Sequence, residues 1–254
     1  WIGTEEGLNR YDGIMIKSYS ICPQAAGKYI SSLYGTKKNI WIGTDEGIYI
    51  YAYATETFTY FDLTTPNNVR ITSIVNHILQ DKDGNLWFST NGQGLFRYNL
   101  SKNYLEQYEF TSAFGIVAST MADSDNQIWA LTNQGESGVY KLNKAENKFE
   151  PFGLLYNAGN HHSQALAMLE DSEQTLWLGT WECGLQKIDK YTRQTTTYLH
   201  PTDGKGVTHI HSLMEYAPHQ LLIGSDDGLL LFNTLTEEYK LFTENETVPN
   251  SLSN

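Results

Sequence analysis

Hydrophobic residues in this chain alternate with polar ones over short runs, and each run ends in a cluster of Gly, Asn, Asp or Ser. The stretch from Thr72 shows this best: Thr72 to Gln80, Asn85 to Thr90, Gly94 to Asn99 and Tyr104 to Phe110 read as four successive strands. Their β-branched and aromatic content suits a pleated, half-buried surface. Asp81-Lys82-Asp83-Gly84-Asn85 joins the first two, and its D-G-N sequence supplies residues that tolerate positive φ. Related turns stand at Asp123 to Gln127 and Asp171 to Thr175. No segment keeps a helical apolar period over the length of a stable helix, so the pattern predicts an all-β fold.

The four-strand pattern recurs, and its second strand marks it. Trp1 to Leu8 reads W-I-G-T-E-E-G-L, and related sequences begin at Trp41, Trp87, Trp129, Trp177 and, with leucine for tryptophan, Leu222. The intervals are 40, 46, 42, 48 and 45 residues. A loose period in the forties with strand content marks propeller blades rather than helical repeats. Within W-I-G-T, Trp and Gly point to one face and Ile and Thr to the other. Both sets read as buried, so each sheet must be sandwiched between neighbours. The motif tryptophans are therefore expected in the core, and the Gly two residues on leaves room for a bulky side chain from the adjacent blade. Ser89 and Leu131 replace that Gly in repeats three and four, which predicts different packing there. Gly7, Gly47, Gly94, Gly138, Gly184 and Gly228 close the second turn, where a conformation cheap only for glycine is expected.

The expected architecture is a β-propeller of four-stranded antiparallel blades. About six are expected, near residues 1–20 (partial), 28–61, 71–110, 113–152, 163–199 and 207–242. Residues 1–254 read as a single propeller segment and a piece of a longer protein. The first blade lacks its innermost strand, 243–254 reads as the lead-in to another blade, and a closed ring of seven does not fit at this period.

Composition narrows the function classes. A formal charge of −12 and a pI near 4.9 argue against nucleic acid as a partner, because phosphates demand a basic face. No apolar run approaches the ~18 residues of a membrane span, so no membrane contact is expected within this segment. Cys22 and Cys183 lie far apart, without metal-ligand spacing, and read as unpaired thiols. His209 and His211 alternate on an expected innermost strand, but two histidines without a third ligand fall short of a metal site. No metal or cofactor is expected. The Asp81 to Trp87 stretch is similar to the Asp-box of sialidases, itself a structural turn. Sialidase chemistry would also need arginines to clamp a carboxylate. The arginines are Arg10, Arg70, Arg97 and Arg193, with Arg10 and Arg97 at equivalent third-strand positions. No G-x-S-x-G, H-E-x-x-H or P-loop is present, and no catalytic residue is assigned.

The pattern L-W-I-G-T-x-x-G-L-x-x-Y-D, preceded by I-x-x-D-x-x-G-N and followed by an aromatic strand, resembles the two-component-regulator propeller repeat. Trp1 to Asp12, Ile78 to Tyr98 and Leu169 to Asp189 carry the match. Repeat six departs from it, with Tyr216-Ala217-Pro218-His219-Gln220 in place of the D-x-x-G-N turn. The resemblance implies an extracytoplasmic sensor of a hybrid two-component system, best known from gut Bacteroidetes, where many such sensors detect polysaccharide fragments. It implies a larger seven-bladed or double propeller. It also implies a periplasmic segment of an inner-membrane protein that continues to a histidine kinase, a receiver and a DNA-binding domain. A homodimer through the parent protein and an oligosaccharide ligand follow from the same resemblance.

Ligand chemistry is expected where the second turns and the inter-blade connections converge. The turns carry Glu5-Glu6, Asp45-Glu46, Asn91 to Gln93, Asn133 to Ser137, Trp181-Glu182 and Asp226-Asp227, and the connections carry Pro66 to Arg70, Tyr156 to His162 and His200 to Gly206. From these, Trp181, Glu182, His161, His162, Tyr156, Asn91, Gln93 and Arg70 are the candidate ligand-binding residues. Trp181 stands where other repeats carry Glu, Asp or Asn, and a tryptophan on a turn exposes apolar area. It either stacks a sugar or packs a neighbouring loop. The competing function classes are a propeller enzyme, lyase or glycosidase-like, which needs a convergent acid–base pair, and a protein-interaction scaffold, which needs a large apolar patch.

Overall fold

The computed structural model describes residues 1–21, 29–110, 115–132, 138–152, 164–200 and 206–243. Among them every regular element is a strand. They fall in two compact units, 1–122 and 123–254.

In the first unit, β1 (Ile2–Thr4), β2 (Gly7–Tyr11) and β3 (Ile16–Tyr19) form a three-stranded antiparallel sheet. A four-stranded sheet follows in the order β4 (Ile30–Gly35), β5 (Asn39–Thr44), β6 (Gly47–Ala52) and β7 (Thr57–Tyr60). The next comprises β8 (Val75–Gln80), β9 (Leu86–Thr90), β10 (Leu95–Asn99) and β11 (Tyr104–Tyr108), within one to three residues of the strands expected from Thr72 onward. The unit ends on β12 (Val117–Ala122), first in a sheet order continued by β13 (Ile128–Thr132), β14 (Val139–Asn143) and β15 (Lys148–Pro151). The second unit adds β16 (Ala165–Glu170), β17 (Leu176–Thr180), β18 (Leu185–Ile188) and β19 (Thr195–Tyr198) as one blade. Its last blade is β20 (Ile210–Ala217), β21 (Gln220–Ser225), β22 (Gly228–Asn233) and β23 (Tyr239–Phe242).

Burial between blades follows the motif. Trp41, Trp87, Trp129 and Trp177 are all buried, at 4%, 1%, 0% and 1% exposure, whereas the first motif tryptophan, Trp1, is 38% exposed. Ile42, Phe88 and Leu178 on the opposite face are fully buried too, as sandwiched sheets require. In the first unit Trp41 packs with Phe61, just after the last strand of its own blade, and with Phe88 and Leu105 of the following blade. In the second, Trp177 packs with Ile210, Ile223 and Phe232. The glycine notches behave as expected: a Cβ on Gly3 would fall 2.5 Å from Ile30 Cγ2, and one on Gly43 would fall 2.9 Å from Val75 Cβ. At Ser89 the different packing is polar, a short hydroxyl contact of 2.5 Å with Thr120 of β12.

The motif threonine and the second-turn glycine work together. Thr4, Thr44, Thr90 and Thr180 donate through Oγ1 to the carbonyls of Gly7, Gly47, Gly94 and Gly184, at 2.6–3.0 Å. Gly47 has φ 113°, and its added Cβ would meet the Ile71 carbonyl at 2.5 Å, so both backbone and space require glycine.

The first turn does more than supply positive φ. Asp81 accepts the Asn85 amide at 2.8 Å through one carboxylate oxygen and the Trp87 indole N–H at 2.7 Å through the other. Asp123 repeats this with Gln127 and Trp129 at 2.8 and 3.0 Å, and Asp171 with Thr175 and Trp177 at 2.8 and 2.7 Å. The aspartate six residues before the tryptophan was the available sequence signal. Repeat six lacks both partners: Leu222 needs no acceptor, and its turn tightens to Pro218-His219, with His219 at φ 62°.

Arg10 and Arg97 occupy equivalent positions for a packing reason. Arg10 lies over Trp1 and Arg97 over Trp87, each 5.7 Å from the ring centroid, and Lys141 and Lys187 lie over Trp129 and Trp177 at 5.2 and 5.9 Å. Such cation–π contacts cover the indole edge of a blade.

Candidate functional site

The second turn of the blade formed by β16–β19 presents Trp181. Its backbone is clasped on both sides: its N–H donates to the Gln164 carbonyl at 2.9 Å, and its carbonyl accepts from the His209 N–H at 3.0 Å. Trp181 remains 39% exposed. His209 stacks on it, with ring centroids 3.8 Å apart and planes 25° from parallel, while His211 stands edge-on at 6.2 Å.

Asp226 occupies in the last blade the position Trp181 holds in the one before, directly after the motif hydroxyl. Its two oxygens are divided between the imidazoles: Oδ2 meets His209 Nδ1, and Oδ1 meets His211 Nε2 at 2.6 Å. The hydrogen bond from His209, then that from His211, holds the Asp226 carboxyl below the usual carboxylate range. Beside it Asp227 accepts the Thr208 N–H at 2.6 Å and the Thr208 hydroxyl at 2.9 Å. The connection into β20 is thus pinned at Thr208 and His209, and the second residue of β20, His211, is held through its ring. His209 itself has φ 45°, a left-handed conformation that this pinning stabilises.

The arrangement offers an aromatic surface, a carboxylate and two imidazoles within one exposed patch of the second unit. An indole face with nearby planar polar groups can stack the apolar side of a pyranose while hydrogen-bonding its hydroxyls. Among the described residues no group of three or more His, Cys, Asp or Glu has metal-site geometry.

The other candidates divide. Glu182 follows Trp181 on the same turn. His161, His162 and Tyr156 lie outside the described residues, as do Cys22 and Asn133 to Ser137. Cys183 is an unbridged, buried thiol. Asn91, Gln93 and Arg70 belong to the first unit, where they are engaged locally. Gln93 Oε1 accepts from the Thr72 and Ser73 amides at 2.8 and 3.0 Å, and its Nε2 donates to the Arg70 carbonyl at 2.9 Å. Arg70 pairs with Asp62 at 2.7 Å, and the Asn91 amide donates to the Ile74 carbonyl at 2.9 Å. Gln93 thereby holds the connection into β8. Sequence reasoning missed Asp226 and the stacked His209 as neighbours of Trp181. The histidines were visible only as an alternating pair, and nothing in the spacing shows which turn they face.

Residues 68–92 match the family described as two component regulator propeller. Over 229 residues, 85% of this chain and 16% of the relative, the sequence is 26% identical to histidine kinase P4 of Formosa agariphila. The fold matches the extracellular domain of BT4673, described as a hybrid two-component system of B. thetaiotaomicron. The TM-score is 0.82 at 23% identity, covering 100% of this chain and 33% of that one. A streptogramin B lyase also matches, with TM-score 0.72 at 17% identity over 95% of this chain and 78% of the lyase. The chain therefore spans 16% of the kinase's length and 33% of the extracellular domain's. Repeat and fold agree with the sequence reading: this chain is a β-propeller of four-stranded antiparallel blades, and its residues 68–92 are similar to the two component regulator propeller family.

Proposed function

We propose that this chain is an extracytoplasmic ligand-sensing segment of a hybrid two-component system and that its ligand is an oligosaccharide. The similarity to a histidine kinase and to a two-component extracellular domain supports the sensor reading. The observation that carries the ligand class is the exposed Trp181 indole, held by its backbone clasp and by His209 beside the Asp226 carboxylate. In this reading the parent protein lies in the inner membrane and passes occupancy of the periplasmic propeller to its kinase. Trp181 stacks the sugar, with Glu182 and the His161–His162 connection as further contacts. Asn91, Gln93 and Arg70 remain proposed contacts of the first unit, through whatever capacity their local hydrogen bonds leave.

A ligand that binds only the native state raises its melting temperature by mass action. Thermal denaturation against a panel of plant and host oligosaccharides should therefore reveal at least one that raises Tm in proportion to the logarithm of its concentration. A flat response across acidic, neutral and amino sugars would overturn the oligosaccharide reading.

A second reading has one observation behind it. A carboxylate that orients an imidazole is the arrangement of a general base, and Asp226 orients two. A propeller lyase would use that pair to take a proton from bound substrate. Its mark is conversion of a glycan or ester to new products, which the sensor reading forbids.

A further inference from the structure

On the outer half of each sheet, the third-strand residue beside the motif position faces a fourth-strand residue across the ladder. In the blade β8–β11, Arg97 faces Glu106. Glu106 Oε2 accepts there from Arg97 at 2.5 Å and from the Tyr108 hydroxyl at 2.9 Å. Lys141 likewise faces Glu150 across β14 and β15. Other blades pair Ile50 with Thr59, Lys187 with Thr196 and Leu231 with Lys240.

The first sheet keeps the tryptophan, arginine and tyrosine of blade β8–β11 and reverses the charge of the fourth member. Arg10 and Tyr19 occupy the register positions of Arg97 and Tyr108, but the residue facing Arg10 is Lys17. Arginine and tyrosine are thus retained without the carboxylate that both of them bind in the other blade. Tyr19 Oη is buried and has no hydrogen-bond partner. Burial opposes ionisation of this phenol, yet Lys17, Tyr51 and Arg10 beside it outweigh burial and hold its pKa below the usual value. Among the described residues no carboxylate lies within ion-pair distance of Arg10. Lys17 meets Glu56 loosely, at 3.9 Å, with both side chains 63% exposed.

Rings hold the two cations in place. Arg10 lies over Trp1 at 5.7 Å, and Lys17 Nζ lies over the Tyr19 ring at 4.7 Å. From the next sheet Tyr51 and Tyr53 pack against Trp1, with centroids 5.3 and 6.4 Å away. Trp1 and Tyr53 keep open area, at 38% and 37% exposure. Two fixed cations and a hydroxyl donor suit a carboxylate, and the aromatic faces beside them suit the ring of a sugar that carries it.

We propose that Arg10, Lys17 and the Tyr19 hydroxyl bind the carboxylate of a uronate in an oligosaccharide, at the position that Glu106 holds in the blade β8–β11. The class of ligand rests on the oligosaccharide reading, to which this site adds an acidic sugar. No residue of the Trp181 patch takes part.

Isothermal titration of the full chain with a galacturonate oligomer, beside a neutral galactose oligomer of equal length, tests the site. The acidic oligomer should bind more tightly. Lys17→Glu supplies the missing carboxylate from within, so it should hold or raise Tm while weakening the acidic oligomer about tenfold or more, the scale of losing charge-assisted hydrogen bonds. Tyr19→Phe should weaken it several-fold, and Glu56→Gln, which removes a competing carboxylate, should strengthen it. Equal affinity for the two oligomers, or an acidic oligomer indifferent to Lys17→Glu and Tyr19→Phe, overturns the proposal. Binding of the neutral oligomer alone would reject it and leave the oligosaccharide reading standing. An acidic peptide bound in a manner sensitive to Lys17→Glu, with no saccharide bound, would give the site to a protein partner and reject both.

Discussion

Burial holds the His77 imidazole below its ordinary titration range, and its Nδ1 accepts the Thr120 N–H at 3.4 Å. The unfolded chain therefore takes up a proton near pH ~6.5 that the folded ring resists. The stability this ring contributes is complete above that pH and is lost as pH falls through the lower folded value. His77→Ser, which installs the residue that Ser32 and Ser212 supply at equivalent positions, should flatten the dependence of Tm on pH below about 6.5. An unchanged slope would place the titrating group elsewhere. Trp181 poses the other residue-scale question, because it meets His209 on one side and retains exposed area. If that area stacks a sugar, Trp181→Ala should weaken binding by about 1–3 kcal/mol, the range for losing a substantial aromatic contact. Isothermal titration beside a melting curve separates this from a structural role, in which Tm falls and affinity follows only indirectly. The motif residues were legible in sequence because repetition states their environment several times over. Asp226 was not, since its partners His209 and His211 lie before and within the start of β20, where the course of the chain depends on the left-handed turn at His209.

At the scale of elements, the blades of the second unit are joined by a repeated polar latch. Ser124 donates from its amide and, at 3.0 Å, its hydroxyl to Glu170 on the next blade's innermost strand. Ser172 does the same to Glu215, at 2.8 and 2.6 Å. The first latch also holds a cation. Lys190, its side chain only 6% exposed, reaches Asp125 at 2.9 Å, Glu170 at 3.0 Å and Asp123 at 3.8 Å. Burial opposes its charge, but the hydrogen bonds to Asp125 and Glu170 and the nearby Asp123 charge outweigh it and raise the Lys190 pKa. Removing one partner of a buried ion pair leaves the others uncompensated, so Lys190→Met should destabilise the second unit by about 3 kcal/mol. Urea denaturation measures it, and a loss below about 1 kcal/mol, the value of an exposed pair, would show that water reaches the cluster. Strand boundaries and turn glycines were readable from period-two alternation and turn chemistry. The latches were not, because they pair residues 43–46 positions apart that look like ordinary turn polars and strand-end carboxylates.

For the whole molecule, the all-β propeller architecture was legible because one sequence unit returns in every blade, and the face alternation within W-I-G-T, apolar on both sides, explains why an isolated blade cannot bury both faces. Function is less legible for the same reason: a repeat records what each blade must do to pack, while the proposed ligand contact Trp181 falls at a position where the repeat otherwise carries Glu, Asp or Asn. The central claim is that this segment binds a glycan without changing it. Ligand-observed NMR on an oligosaccharide that raises Tm tests both halves in one experiment. The account predicts saturation transfer from protein to sugar, strongest at protons of one ring face, with the sugar spectrum unchanged over hours. New anomeric or unsaturated-sugar signals, or no transfer from any member of the panel, would contradict it.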